Sequence, residues 1–251
     1  MFDYNLHTSL LQNRPKYTSS FIKYEIATRL LSRLDLVNIT PQHILLIGYH
    51  DQNYMTLLRS RFPDSVISTT PSKQPLYDLI ISNTDIHLSA NLHDAFESLA
   101  NALTPNGILL FSSFAAQTMA SFGTLWRRID GCPHHNTMID MHDWGDVIFK
   151  TSLETPVIES ELLHFDYQNT DLIWQDIRAL NEPLADTKMR KSFTGKHRWA
   201  HFCALLEKNP KLSFEVVYGY AKLPQSAKGK KDQNGAINIS FDALRKQLLG
   251  K

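Results

Sequence analysis

Histidine and aspartate side chains are concentrated in the stretch Cys132 to Asp143 (CPHHNTMIDMHD). These residue types can bind metals or move protons; here they are His134, His135, Asp140, His142 and Asp143. Their spacing contains no His-x-x-x-His pair and no common zinc pattern. A histidine that faces a substrate is therefore a better interpretation than a metal site, and Asp140 or Asp143 is expected to cap a helix that starts near Met141.

A second group of residues that could take part in binding is cationic and lies in the C-terminal half of the chain. Two interpretations of it remain open. Such runs usually form the solvated face of a helix. They also suit a docking surface for an acidic partner, or an arginine that binds a carboxylate. The residues are Lys188, Arg190, Lys191, Lys196, His197 and Arg198.

Two polar turns follow apolar runs that predict buried strands. HILLIG (43–48) ends at Gly48, and LYDLIIS (76–82) leads into Ser82-Asn83-Thr84-Asp85. In a doubly wound sheet, ligands bind at the carboxyl ends of the strands, and glycine lets the backbone approach them closely. A single glycine also fits an ordinary turn, and the polar residues after the second run also suit a cap.

These turns must be positioned by a set of helices and strands that the hydrophobic pattern predicts. Strands alternate with helices, which indicates an α/β fold with a parallel sheet covered on both faces. In the turn at 104–107 (TPNG), Gly107 is expected to supply a positive φ. After Phe114 the alternation breaks down into further helices and two strands. The predicted elements up to that point are a helix at 20–36, a strand at 43–48, a helix at 55–62, strands at 65–69 and 76–82, a helix at 91–103 and a strand at 108–114.

The composition excludes several classes of protein. The chain has 251 residues, 43% of them hydrophobic, which is enough for one large domain or a domain with an added lobe. A formal net charge of +1 argues against a nucleic-acid-binding protein and a polybasic membrane anchor. Cys132 and Cys203 are too few for a disulfide framework, so a reducing cytoplasm is expected. The N-terminus lacks the apolar core of a signal peptide, and no run of about 18 apolar residues predicts a membrane span.

Several segments together resemble a known family, the malonyl-acyl-carrier-protein O-methyltransferases of biotin synthesis. These are class I enzymes that use S-adenosylmethionine (SAM). A related branch is the mitochondrial complex I assembly factor of the same fold, which the segment INISFDAL also resembles. The most specific block is HHNTMIDMHDWGDVIFK, because the family carries His-x-Asn followed by a hydrophobic-Asp-Met-His-Asp-hydrophobic-Gly-Asp run. The other matching segments are MFDYNLHTSLL with YTSSFIKYEIATRLLSRL, YDLIISNTDIHL, LTPNGILLFSSF and FEVVYGYAKLP.

The resemblance implies a Rossmann-like sheet and a division of the chain into four parts. Residues 1–40 correspond to an N-terminal helical lid and residues 41–114 to the core. Residues 115–224 correspond to the acceptor region with the last core strands. Residues 225–251 are a polar, lysine-rich linker and a tail.

The resemblance also implies an activity, namely methylation of the free carboxylate of a malonyl thioester on acyl carrier protein. Such a carboxylate is already ionised, so catalysis is mainly positioning and charge neutralisation. The acidic carrier protein suits the cationic run, and Arg198 is our own candidate for the group that binds the carboxylate. The expected site consists of Tyr17, His134 and Arg198 as catalytic residues, Phe21, Asn136 and Lys196 as substrate-binding residues, and Gly48, Ser82 and Asn83 as SAM-binding residues.

The chain departs from the family pattern at the expected SAM site. Aligned on Gly48, Leu46 replaces the family's aspartate, and His50 and Gln52 replace its second and third glycines. The second strand should end in an acidic residue, but residues 67–71 read ISTTP. Only six residues, 70–75, separate that strand from the next, and a parallel crossover needs roughly a dozen. We therefore expect a truncated sheet without the family's third strand and its helix.

Two hypotheses about function follow. In the first, the protein is a working SAM-dependent carboxyl methyltransferase with an unusual donor site. In the second, it is an inactive pseudo-methyltransferase that binds carrier protein, or a homologous active methyltransferase, as a scaffold or regulator. The similarity along the whole chain favours the first hypothesis, and the departures at the donor motifs favour the second.

Overall fold

A computed structural model describes residues 2–12, 17–72 and 74–225. Within these ranges, six strands form one mixed sheet in the order β2-β1-β3-β4-β6-β5. β1 to β4 run parallel, β6 is antiparallel to β4, and β5 is antiparallel to β6. The strands are β1 (His43–Gly48), β2 (Val66–Ser68), β3 (Tyr77–Asn83), β4 (Leu103–Phe114), β5 (Val157–Asp166) and β6 (Lys211–Lys222).

The helices cover both faces of this sheet. Along each central strand alternate residues point to opposite faces, so Leu46 and Ile81 join one core and Leu45 and Ile80 the other. The first core includes α2, α3, α5, α7 and α8, and the second includes α4 and α6. The described helices are α1 (Tyr4–Gln12), α2 (Phe21–Ser32), α3 (Gln52–Arg61), α4 (Leu92–Ala102), α5 (Ala120–Arg127), α6 (Met141–Phe149), α7 (Thr170–Ala179) and α8 (Lys196–Glu207), with 3-10 turns at Arg33–Leu36 and Ile86–Leu88.

The strand order creates a switch point beside β1. The chain moves from β1 to β2 on one side and then crosses to β3 on the other, so the connections diverge between β1 and β3. In doubly wound sheets, this is where ligands bind, at the carboxyl ends of the strands. The α/β, Rossmann-like prediction is confirmed, and it places Gly48 directly opposite Asn83.

The sheet is truncated as the short connection predicts. Among the described residues of 69–76, which exclude residue 73, there is neither helix nor strand between β2 and β3. β2 is three residues long and forms one edge of the sheet.

Local sequence explains where the helices begin. The side chains of Ser20, Asp51 and Asn91 each accept a hydrogen bond from a backbone N–H in the first turn of α2, α3 and α4. The cap at Asp51 starts α3 at Gln52, three residues before the predicted start at Met55. Asp140 caps α6, as predicted.

One predicted turn was wrong in detail. Residues 104–107 lie within β4, and the left-handed residue is Asn106 (φ 66°), not Gly107. Asparagine tolerates this conformation better than most residues.

The predicted tail from residue 226 onward lies outside the described residues. Within the described ranges no helix has the length and apolar character needed to cross a membrane.

The turn after β1 generates a stability prediction. Gly48 has φ 79°, and a Cβ there would lie 2.2 Å from the carbonyl oxygen of Asn83. Gly48→Ala is expected to lower the free energy of unfolding by about 3 kcal/mol, because it adds backbone strain to a steric clash. Urea denaturation measures the change. Gly131→Ala, where a Cβ meets nothing within 4 Å, is the control. Equal effects of the two substitutions would contradict the prediction.

Candidate functional site

An apolar cavity of about 240 Å³ lies in the C-terminal half of the fold. It is enclosed by the ends of β4 and β6, by α5, α7 and α8, and by the segments 134–138 and 182–184. Enclosed pockets with mostly apolar walls and a few polar groups are the usual ligand sites of proteins. The aromatic part of the wall consists of Phe114, Phe122, Trp126, Trp174, Trp199 and Phe214.

His134 contributes to this wall and is held in a defined orientation. Its ring stacks on Trp126, with centroids 3.6 Å apart and planes within 7°. Its Nε2 lies 2.9 Å from Oδ1 of Asp130, and Oδ2 of Asp130 accepts a hydrogen bond from Arg190 at 3.1 Å. Burial would raise the pKa of Asp130, but the hydrogen bond to His134 and the charge of Arg190 hold it below its ordinary value.

This orientation determines what His134 can do. The carboxylate of Asp130 accepts from Nε2, so in the neutral form of the imidazole the proton lies on Nε2 and Nδ1 is an acceptor. Nδ1 makes no hydrogen bond to any described residue and is not sealed from solvent. His134 can therefore accept a hydrogen bond from a ligand in the cavity.

Asn136 also lines the cavity, but both polar atoms of its side chain form hydrogen bonds to backbone groups of the protein. It is buried, its Nδ2 donates to the carbonyl of Pro183 (2.9 Å), and its Oδ1 accepts from the backbone N–H of Ala185 (2.8 Å). These two bonds hold the 183–185 segment, which forms part of the cavity wall. The structure thus gives Asn136 a positioning contact and does not point its amide at a ligand.

The cation that the structure places at the cavity is Arg178, and sequence reasoning missed it. Arg178 lies in the last turn of α7, is exposed, and lines the cavity together with Trp174. Arg198 and Lys196 are exposed on the first turn of α8 and do not line the cavity. The spacing of four residues between Trp174 and Arg178 was a usable signal, because it puts both on one face of a helix.

Tyr17 and Phe21 are not brought to the cavity either. Tyr17 is 41% exposed, and its carbonyl accepts from Nδ2 of Asn181 at 3.1 Å. Phe21 is 59% exposed and contacts Phe165 edge-on, with ring centroids 5.9 Å apart. Of the predicted catalytic residues, only His134 lies at the cavity.

A buried cluster of ionisable groups, also missed by sequence reasoning, reaches the cavity through Glu182. Glu182 lines the cavity, and its Oε1 lies 2.9 Å from Nζ of Lys23. Its Oε2 is 3.4 Å from Nε2 of His87 and 4.0 Å from Nε2 of His7. Burial alone would raise the pKa of Glu182, but Lys23 and His87 lower it to about 2. Burial raises the pKa of Asp85 nearby.

The predicted SAM-binding residues lie at the carboxyl ends of β1 and β3, where the segment after β1 forms hydrogen bonds with Asn83 at the end of β3. Ser82 and Asn83 are buried. The backbone N–H of Tyr49 donates to the carbonyl of Asn83, and Nδ2 of Asn83 donates to the carbonyl of Tyr49. The Cβ position of Gly48 is filled by Asn83 and Asp85, so the approach that glycine allows is used by the protein's own backbone.

An open depression lies next to this turn and is polar. None of its lining residues comes from β2, β3 or the segments that follow them. Asp51, within it, is occupied by the cap of α3 and by a hydrogen bond from Ser19 (3.2 Å). β2 ends at Ser68, followed by Thr69 and Thr70, at the place where the resemblance implies an acidic residue. The lining residues are Thr18, Ser19, His50, Asp51, Gln52, Asn53 and Met55.

The histidine-rich stretch does not assemble into a metal centre in the part of the chain that the structure describes. No group of three or more His, Cys, Asp or Glu residues there is placed to hold a metal ion. His142 is exposed on α6 and pairs with Asp140, its neighbour at the N-cap (2.8 Å).

The cluster around Glu182 generates a prediction about pH. The pKa of Glu182 is lowered in the folded state, so its contribution to stability is complete above the unfolded value of 4.5 and is lost as pH falls from there towards about 2. Glu182→Gln is expected to cost roughly 3 kcal/mol at pH 7, and the difference from wild type should shrink below pH 4.5. Urea denaturation between pH 7 and pH 2.5 measures it.

A matched control separates this effect from general acid denaturation. Glu159→Gln removes a partly exposed carboxylate that pairs with Arg33 at the surface, and should change stability by less than about 1 kcal/mol at every pH. A wild-type to Glu182→Gln difference that stays constant down to pH 2.5 would refute the prediction.

Comparisons with known proteins agree with the motif-based resemblance. No protein-family model matches the chain. A malonyl-[acyl-carrier protein] O-methyltransferase of Legionella pneumophila is 27% identical over 237 residues, which span 80% of this chain and 83% of that protein. Malonyl-[acyl-carrier protein] O-methyltransferase 1 of Coxiella burnetii is 24% identical over 247 residues, which span 87% of each chain.

Solved structures with a similar fold include an N-methyltransferase of Haemonchus contortus in complex with S-adenosylhomocysteine. It matches 79% of this chain and 53% of its own chain, with a TM-score of 0.45 and 11% identity. A likeness at that level does not bear on activity. The sequence comparisons confirm the family resemblance: over most of its length, this chain is similar to the malonyl-[acyl-carrier protein] O-methyltransferases.

Proposed function

We propose that this protein binds an acyl group carried on acyl carrier protein, with the acyl group in the aromatic cavity, and that it does not transfer a methyl group from SAM. The observation that carries the proposal is the contrast between the two halves. A formed cavity with oriented polar groups stands on the acceptor side. At the carboxyl ends of β1 and β3, Asn83 and Asp85 occupy the space beside Gly48.

The cavity suits an acyl chain on a pantetheine arm. Its aromatic wall buries apolar methylene groups, each worth about 0.8 kcal/mol. The acceptor nitrogen of His134 is placed to receive an amide N–H of the arm, and Arg178 supplies positive charge at the cavity wall. Asp130 and Arg190 hold His134 in this orientation, so they act as positioning residues.

The surface next to the cavity suits an acidic carrier protein. Lys191, Lys196 and Arg198 are exposed and form no ion pair with any described residue. Phe193 is fully exposed, and Trp199 is 42% exposed while also lining the cavity. Positive charge around an aromatic contact steers a negatively charged partner and gives it an anchor. In this arrangement the cationic run docks the carrier, and Arg178, not Arg198, faces the acyl group.

The donor side supports the second half of the proposal. SAM in class I enzymes needs room above the first strand and a carboxylate after the second. Here His50 and Gln52 occupy the glycine positions, and Ser68 ends β2 without an acidic neighbour. The nearby depression is lined by no residue of β2 or β3. These residues do not match the donor site that the resemblance implies.

A SAM-dependent carboxyl methyltransferase with an unusual donor site is the second candidate. The similarity to named malonyl-[acyl-carrier protein] O-methyltransferases, which extends over most of the chain, favours it. Under this alternative the function belongs to biotin synthesis, and the protein is expected in the cytoplasm. An inactive relative that regulates an active homologue would share that setting.

Calorimetry with SAM separates the two candidates. We expect no binding heat up to millimolar SAM, because the side chains at positions 46, 50 and 52 and the missing carboxylate leave no donor site. The Legionella pneumophila methyltransferase serves as a positive control under the same conditions. A micromolar Kd for this protein would overturn the proposal and establish the methyltransferase alternative.

Carrier-protein binding is tested separately, with acyl carrier protein loaded with a butyryl or a malonyl group. We expect binding that weakens with salt, and a loss of about tenfold or more in affinity for the double variant Lys196→Glu/Arg198→Glu. Surface plasmon resonance measures both. The control, Arg59→Glu/Lys150→Glu, makes the same charge change outside the 188–198 segment and should bind normally. Absence of binding to either loaded carrier would refute this half of the proposal.

A further inference from the structure

Two nitrogen-bearing side chains from different parts of the fold converge on the carboxylate of Glu182, which lines the cavity. Lys23 comes from α2 and His87 from the 3-10 turn after β3. Nζ of Lys23 and Nε2 of His87 approach different oxygens of Glu182, at 2.9 and 3.4 Å. Separate N–H donors on the two oxygens are one arrangement by which proteins bind a carboxylate ligand.

Lys23 and His87 have more hydrogen-bonding atoms than their contacts with Glu182 occupy. An ammonium group has three donors, and the one hydrogen bond that Lys23 Nζ makes to the described residues is that to Glu182. The side chain of His87 is more than nine-tenths buried, and its Nδ1 has no hydrogen-bond partner among the described residues. A buried polar atom without a partner is costly, and this one belongs to a residue that contacts Glu182, which lines the cavity.

Glu182 reaches this site from a segment that is pinned at several points. Pro183 and Ala185 are held by Asn136, and Asn181 is held by the carbonyl of Tyr17. The segment lies between α7 and α8, and Glu182 itself lines the cavity. These contacts hold the carboxylate of Glu182 between Lys23 and His87.

We propose that Lys23 and His87 form a carboxylate-binding subsite behind the part of the cavity wall that Glu182 forms, and that in this chain Glu182 fills it as an internal substitute for a ligand's carboxylate. A ligand that ends in a carboxylate then meets a negative charge at that part of the wall, whereas an uncharged acyl end does not. This consequence for acyl groups rests on the proposed function, but the subsite itself does not.

The test removes the internal carboxylate and offers a small one. Glu182→Ala should bind acetate and malonate saturably, seen as a rise in Tm and in calorimetry, at least tenfold more tightly than wild type. Acetamide, the uncharged isostere of acetate, and sodium chloride at equal concentration should have no such effect. The double variant Lys23→Met/Glu182→Ala should lose the response, because it lacks the ammonium group.

Each outcome decides the proposal. The proposal is overturned if folded Glu182→Ala does not bind acetate or malonate specifically. It is also overturned if the double variant Lys23→Met/Glu182→Ala binds them equally well. If Glu182→Ala does not fold in buffer, its refolding in 100 mM acetate replaces the titration. Glu182→Gln is the isosteric second variant. Failure of acetate to restore the folding of Glu182→Ala also overturns the proposal. Neither carrier protein nor SAM is present, so this result is independent of the tests of the proposed function.

Discussion

The ion pair between Lys23 and Glu182 joins two parts of the chain that are 159 positions apart, and it holds a residue of the cavity wall in place. A buried ion pair gives little net stability over an apolar contact of the same size, because desolvation offsets the attraction. Removing one partner is costly, however, because the other charge stays buried. The pair therefore fixes where α2 meets the 181–186 segment. Glu182, Pro183 and Leu184 line the cavity at that junction.

The two halves of the molecule use their polar groups in opposite ways. On the acceptor side, Asp130 and Arg190 orient His134 so that one nitrogen remains accessible to a ligand. At the carboxyl ends of β1 and β3, polar groups are consumed by contacts within the protein, with Asn83 bonded to Tyr49 and Asp51 used as a cap. One fold can support many activities, so the same sheet order does not require the same chemistry.

Residue roles taken from a family motif transfer unevenly to this chain. His134 lies at the cavity, as its place in the motif implies. Asn136, two residues away in the same motif, supports the wall through its backbone contacts instead. The charge of Arg198 and its position in a cationic run make it a candidate for binding the carboxylate. It lies on the first turn of α8, however, and does not line the cavity. Arg178 is brought there because it follows Trp174 by one helical turn.

The sequence by itself determined the central strands, the helix starts and the truncation of the sheet. Continuous apolar runs specify strands that are buried on both faces, and capping side chains act within four residues. The short connection after β2 leaves no room for a further helix and strand, although the chain still crosses from β2 to β3 within it. All of these signals are local. Only the tertiary structure decided that Glu182 meets Lys23 and His87, that Asn136 binds the 183–185 backbone, and that the aromatic residues enclose a cavity. Those contacts join residues that are dozens of positions apart, and side-chain type alone does not say which charges will meet once the helices have packed on the sheet.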